Sequence, residues 1–462
     1  MATLKFGMNI PLTIFALLAA VSLPPALPVY AQEVTPAQPV AEAPIVQPIA
    51  KTVLTLDQAI KRAMEKSPIL GASSARVSAA DANRSAAGAL PNPSLSVEAE
   101  NIYGDRAYRS LDNAEMTYGV SQLIEMPGKR SGRTRIADAE KDSAHFTSDG
   151  VTLNVIRDVT IAFAEVAAAQ QEVSILEEEQ SLATEVRDSV AAKVQAGKEP
   201  YIQKNKAEIE LSSSKIALDR AYRNLAAKKQ ALSSLMGGDT GDFTASIDSL
   251  PEPQQPESVE KYRERLRKTP DAMSLRASID RAKAGLSLEK ANAVPDPTLN
   301  VGVRDFRGDN AQAFIVGLSI PIPVFNMNRA GIERAGHDVT AAALDEQSAR
   351  LNLEAALTEL YGNYSNAYSE AVALKSSVLP GAEEAFRFAR DGYDAGKFNY
   401  LEVLDAQRTL FEARKQLNEV SLDYHRQRAA LERIAAAHDD VQAHAHRENT
   451  ATKEQKNEQT KN

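Results

Sequence analysis

Glu402 and Asp405 are the residues of this sequence best placed to do chemistry. They are separated by one helical turn, so both carboxylates lie on one helix face. Two such charges about 7 Å apart repel by roughly 0.6 kcal/mol in water, and several-fold more near a protein surface, so a bound cation would relieve them. Acids in the first turn of a helix also suit its dipole, which is the plainer account of the same pair. A second cluster, His438, His444 and His446 with Asp439 and Asp440, carries imidazole and carboxylate groups suited to zinc or cobalt. It runs into a charged, Gln- and Asn-rich terminus that reads as disordered, so no metal site is assigned. His145, His337 and His425 fall singly on helical stretches and read as surface residues.

Other chemistry is excluded by composition. The chain has no Cys, which removes disulfides, thiolate metal sites and cysteine nucleophiles. It contains no G-x-S-x-G, no phosphate loop and no H-E-x-x-H, so neither an enzyme nor a cofactor is expected. Among 462 residues, 53 Lys and Arg face 62 Asp and Glu, a net charge of -9 that argues against nucleic acid as a partner.

Two leading segments stand apart from the fold. Lys5, the apolar run Leu12 to Leu23 and the small-residue site before Gln32 read as a secretory signal peptide over residues 1–31. That run is too short to cross a bilayer, which takes about 20 residues. Residues 32–53 are Pro-rich and read as an extended tether.

The rest of the chain is duplicated. Leu90-Pro91-Asn92-Pro93 recurs as Val294-Pro295-Asp296-Pro297, Gly119-Val120-Ser121 as Gly317-Leu318-Ser319, and Ala196-Gly197-Lys198 as Ala395-Gly396-Lys397. The repeats cover residues 54–237 and 257–436, joined by a linker at 238–256, with a polar, disordered tail at 437–462. Each reads as helix, hairpin, very long helix, turn and long helix. Period-two alternation predicts strands near 93–103, 114–125, 297–306 and 311–322, about the ten residues a tilted barrel strand needs. After each hairpin a 4-3 seam follows, Val155, Val159, Ala162, Val166, Ala169, Val173 and Leu176 in one repeat. Leu353, Leu357, Leu360, Tyr364, Ala367, Ala371, Leu374 and Val378 form the other. Gly197 and Gly396 read as helix C-cap glycines.

If the alternating runs are lipid-facing, four strands cannot close and eight leave no pore, so three chains and twelve strands are the smallest channel. The chain resembles the TolC-like outer-membrane factors. Thr55 to Pro68, Leu90 to Asn101, Ile124 to Arg133 and Tyr393 to Gln407 carry the resemblance, and the LPNP and PGKR elements look most like the cobalt-zinc-cadmium or copper efflux subgroup. The resemblance implies a mainly α protein with a transmembrane β-barrel: a homotrimer with a 12-stranded barrel in outer-membrane lipid and a coiled α-helical barrel in the periplasm. It implies two partners, a periplasmic membrane-fusion adaptor and an inner-membrane proton-driven pump. The implied role is the passive exit channel of a tripartite efflux system, with divalent heavy metals as cargo. Drug efflux or type I secretion through the same fold are alternatives, as is a periplasmic coiled-coil scaffold or adaptor.

By similarity, Glu402, Asp405 and Tyr393 match the periplasmic gate of such ducts. Phe398 stands where members often carry Arg, against the usual salt-bridged lock. Repeat one has Gln203 and Lys206 where repeat two has the acids. The turns at Gly197, Lys198, Gly396 and Lys397 would meet the adaptor. Glu98 and Glu100 would face the lumen.

Overall fold

Proline marks several boundaries of this fold. Pro68 and Pro270 occupy the first turns of helices, where a missing N–H costs nothing, and Pro93 and Pro297 stand just before strands. The computed structural model describes residues 52–238 and 241–436. The expected signal peptide, nearly all of the tether and the tail histidines His438, His444 and His446 lie outside the described residues.

At the junction of the expected tether and the first repeat, β1 (Thr52–Leu54) leads into α1 (Leu56–Lys66) and α2 (Pro68–Ala87). The hairpin β2 (Ser94–Glu100) and β3 (Glu115–Leu123) follows, then α3 (Lys129–Gln195) and α4 (Tyr201–Leu235). A short strand, β4 (Phe243–Ala245), precedes the second repeat. That repeat contains α5 (Val259–Leu266), α6 (Pro270–Asn292), the hairpin β5 (Thr298–Phe306) and β6 (Ala311–Ser319), and α7 (Arg329–Ala373). A π-helical turn, Leu374–Val378, joins α7 to α8 (Leu379–Asp394), and α9 (Tyr400–Ala435) closes it. The 67 residues of α3 extend about 100 Å at 1.5 Å per residue.

The two hairpins join into one antiparallel sheet in the order β2-β3-β5-β6. Its register puts Val97, Tyr118, Val303 and Phe314 in one row, and Leu95, Val120, Val301 and Val316 in the next, all on the same face. That face has no cover: Phe314 is 87% exposed and Val316 74%. The other face carries Glu98, Glu100, Glu115 and Arg304. Arg304 reaches Glu100 at 3.0 Å, Glu115 at 3.1 Å and the Thr117 hydroxyl at 2.9 Å. Strands β2 and β6 are unpaired edges, so one chain does not close a barrel. The first strand is shorter than expected because Asn101 enters the left-handed region (φ 56°). The last stops at Ser319, ahead of Pro321 and Pro323, which cannot donate to a ladder.

All seven seam residues of α3 are buried. In the second repeat the seam holds through Leu374, but Val378 is 46% exposed. The π turn adds one residue to the helical period, so the buried row resumes at Ala382, Ala389 and Tyr393. The expected linker carries structure of its own. Its strand β4 pairs in parallel with β1, and Leu54, Phe243 and Ala245 bury against Val159, Phe163 and Val166 of α3. Three-residue strands leave no period to read in a sequence.

Candidate gate at the hairpin tips

The two hairpin tips end in the same backbone device. Gly197 (φ 71°) and Gly396 (φ 72°) adopt the left-handed conformation that residues with a Cβ avoid. Lys198 N–H donates to Lys193 O at 2.9 Å and Gly197 N–H to Val194 O at 3.0 Å; Lys397 N–H to Gly392 O and Gly396 N–H to Tyr393 O repeat the pattern at 2.8 and 3.0 Å. These are paired Schellman caps, which satisfy carbonyls that a helix end otherwise orphans.

Between the tips lies a small core of Val190, Ala207, Ala389, Tyr393, Tyr400, Val403 and Leu404. Tyr393 is 5% exposed, and its ring lies 6.5 Å from that of Tyr400. Lys193 of the first repeat holds it twice: the ammonium sits 3.2 Å from the ring centroid and donates to the Tyr393 carbonyl oxygen at 3.2 Å. The Tyr393 hydroxyl is buried with no hydrogen-bond partner among the described residues. Burial, with Glu199 nearby, pushes that hydroxyl up to about 12.

Glu402 and Asp405 are both exposed in the first turns of α9. Asn399 caps this helix, accepting from Leu401 N–H at 2.8 Å and Glu402 N–H at 3.3 Å. Neither acid has an ion-pair partner among the described residues. The structure therefore brings the two acids together on one face and places Tyr393 elsewhere, in the seam between hairpins. Gln203, at the place equivalent to Glu402, buries its side-chain oxygen without a partner. A carboxylate at that position would be desolvated.

Phe398 makes no ion pair, being apolar, and packs instead over Gly392, where an added Cβ would fall 2.2 Å from the ring. Ionic links between hairpins come from other residues. Arg390 pairs with Glu185 at 2.6 Å, Arg408 with Glu210 at 2.8 Å and Arg414 with Glu178 at 2.6 Å, while Arg426 binds Glu165. In each pair the cation belongs to the second repeat and the anion to the first. Residues so far apart in sequence, Lys193 and Tyr393 among them, leave no local signal of their pairing.

The opposite end of α3 is fixed by the PGKR corner. Lys129 pairs with Asp296 at 2.8 Å, and Asp296 also accepts from Met126 N–H at 2.8 Å. Arg133 donates to Glu125 from both terminal guanidinium nitrogens, and that hydrogen bonding holds the Glu125 carboxyl below its ordinary value. Burial pushes the Asp296 carboxyl up, but the Lys129 ammonium and Met126 N–H together outweigh it and leave it lowered.

His425 is a correction to the expectation of a surface residue. It packs edge-on against Tyr424, with centroids 5.2 Å apart, and lines a cavity of about 590 Å³ with Arg414, Asn418 and Pro251. Burial and the Arg428 charge push its imidazole down to about 4. Among the described residues no cluster of His, Asp and Glu has the form of a metal site, and no helix is long and apolar enough to cross a membrane.

Comparison with known proteins supplies the family. The model for the outer membrane efflux protein family matches residues 59–238 and 262–437. The cobalt-zinc-cadmium resistance protein CzcC of Cupriavidus metallidurans is 31% identical over 364 residues, 78% of this chain and 85% of that protein. The nickel-cobalt-cadmium resistance protein NccC of Alcaligenes xylosoxydans xylosoxydans is 27% identical, over 64% of this chain and 67% of its own. Among solved structures, CusC superposes with a TM-score of 0.71 at 20% identity, covering 89% of this chain and 99% of that one. The outer membrane protein VceC of Vibrio cholerae gives 0.68 at 20% identity, over 83% and 96%. With matched segments spanning both repeats and a shared TolC-like fold, the chain belongs to the outer membrane efflux protein family.

Proposed function

We propose that this chain is the exit channel of a tripartite efflux system and that divalent heavy-metal cations are its cargo. The observation that carries the channel reading is the sheet at the end of the long helices. One face is apolar and uncovered and the other polar, as in a wall between lipid and water. Three copies would pair β6 of one with β2 of the next, removing both edges and enclosing the Arg304 face. The helices would continue the tube through the periplasm to the tips at Gly197, Lys198, Gly396 and Lys397. There an adaptor and a proton-driven inner-membrane pump would dock. Conduction is passive, and Glu402, Asp405 and Tyr393 form the gate.

The metal cargo is supported by the metal-resistance relatives, of which CzcC matches over most of its length. The test is growth of a deletion strain on zinc, cobalt, cadmium, nickel and copper, beside dyes and detergents. Sensitivity to the divalent metals alone supports the proposal. Sensitivity to dyes or detergents alone keeps the channel and overturns the cargo.

A further inference from the structure

The lipid-facing row of β6 does not end with the sheet. Phe314, Val316 and Leu318 are continued at the same alternation by Ile320 and Ile322, beyond the last paired residue Ser319. Val324 N–H then donates to Ile322 O at 2.9 Å, closing a three-residue turn at Pro323. Past that turn Phe325 is 102% exposed, touching nothing in its own chain, and Ile322, Val324 and Met327 are exposed at 81%, 66% and 49%. The backbone beneath them is pinned at both ends. Ser319 is held by Thr298, and Asn328 donates from its side-chain amide to Glu289 O at 2.8 Å. A fixed loop with unsheltered apolar side chains marks an interaction surface.

Charge at the same boundary between sheet and helices narrows the partner. Arg130 and Arg329, at the starts of α3 and α7, are exposed and have no carboxylate partner among the described residues. Arg329 lies against Met327, its guanidinium 3.9 Å from the sulfur. The corresponding corner of the first repeat has no such wedge, because its Glu125 and Met126 are tied to Arg133 and Asp296. Apolar side chains at the helical end of a lipid-facing sheet, with Arg329 against them and Arg130 at the equivalent helix start of the first repeat, fit the headgroup boundary of an anionic bilayer.

We infer that Ile322 to Met327, with Arg130 and Arg329, is an interfacial anchor that inserts into the periplasmic leaflet and binds anionic phospholipid headgroups. The anchor sets the depth of the barrel. The inference rests on the sheet facing lipid, so the test separates the two. Because the chain lacks Trp, Phe325→Trp and, separately, Phe314→Trp give single fluorescent reporters. Each full-length variant is reconstituted in vesicles of phosphatidylethanolamine and phosphatidylglycerol, with and without brominated acyl chains.

Quenching by the brominated chains at both positions is expected for groups inserted in the bilayer. Quenching at Phe314→Trp but not at Phe325→Trp overturns the anchor alone, including the case where a second copy buries the loop. Absence of quenching at both overturns the lipid-facing sheet and the anchor with it. A second arm compares bound phosphatidylglycerol with phosphatidylcholine. Arg130→Gln with Arg329→Gln should lower that preference by about fivefold per arginine. An unchanged preference overturns the headgroup assignment.

Discussion

Lys193 spans the two hairpins with one ammonium, over the Tyr393 ring and onto the Tyr393 carbonyl. A half-buried cation–π contact contributes about 1 kcal/mol, which corresponds to roughly a fivefold shift between closed and open tips. Lys193→Ala should therefore raise the resting conductance of the channel in planar bilayers, and Lys193→Arg should restore most of the closed state; equal conductance in all three contradicts the latch. For the exposed acids, Glu402→Gln with Asp405→Asn should weaken block by divalent cations by about tenfold, since two carboxylates per chain are lost. Undiminished block in a zinc or cobalt titration removes them from the gate. The acid pair was legible from spacing alone, because residues one turn apart share a helix face. Lys193 was not, since its partner is 200 positions away.

Two elements carry predictions of their own. At the PGKR corner, Asp296→Asn leaves the Lys129 ammonium buried without its counter-charge, and the loss of stability should be about 3 kcal/mol, read as a lower thermal midpoint. Lys129→Met with Asp296→Leu should recover most of it, and a midpoint unchanged by Asp296→Asn would contradict the buried pair. On α9, the lowered His425 value means the fold favours neutral imidazole. Above about pH 6.5 both folded and unfolded chains hold it neutral. As pH falls from about 6.5 towards 4, only the unfolded chain takes up the proton, so stability declines, by on the order of 3 kcal/mol at most. His425→Gln should flatten the midpoint between those pH values; an unchanged slope would show that His425 is not the group responsible.

Element identity was largely legible, because long helices and alternating strands each repeat their period many times. The seven-residue seam of α3 is buried throughout. What escaped were the irregularities. A one-residue π insertion at Leu374–Val378 shifts a heptad without altering its composition, and β1 and β4 are too short to alternate.

For the molecule as a whole, a single chain is an open piece of wall. Its sheet has two free edges, an uncovered apolar face and an Arg304 face held by glutamates. The faces were readable from alternation, but the pairing of β3 with β5 joins hairpins from different repeats and is a long-range fact. Family membership places the protein in the outer membrane with its helices in the periplasm. Those free edges demand other copies, and closure by three is the central claim. The direct measurement is the mass of the detergent-solubilised assembly by native mass spectrometry, with single-channel recording of the same sample. The account predicts three times the mass of the processed chain and discrete cation-conducting steps. A monomer or dimer without conductance would contradict it.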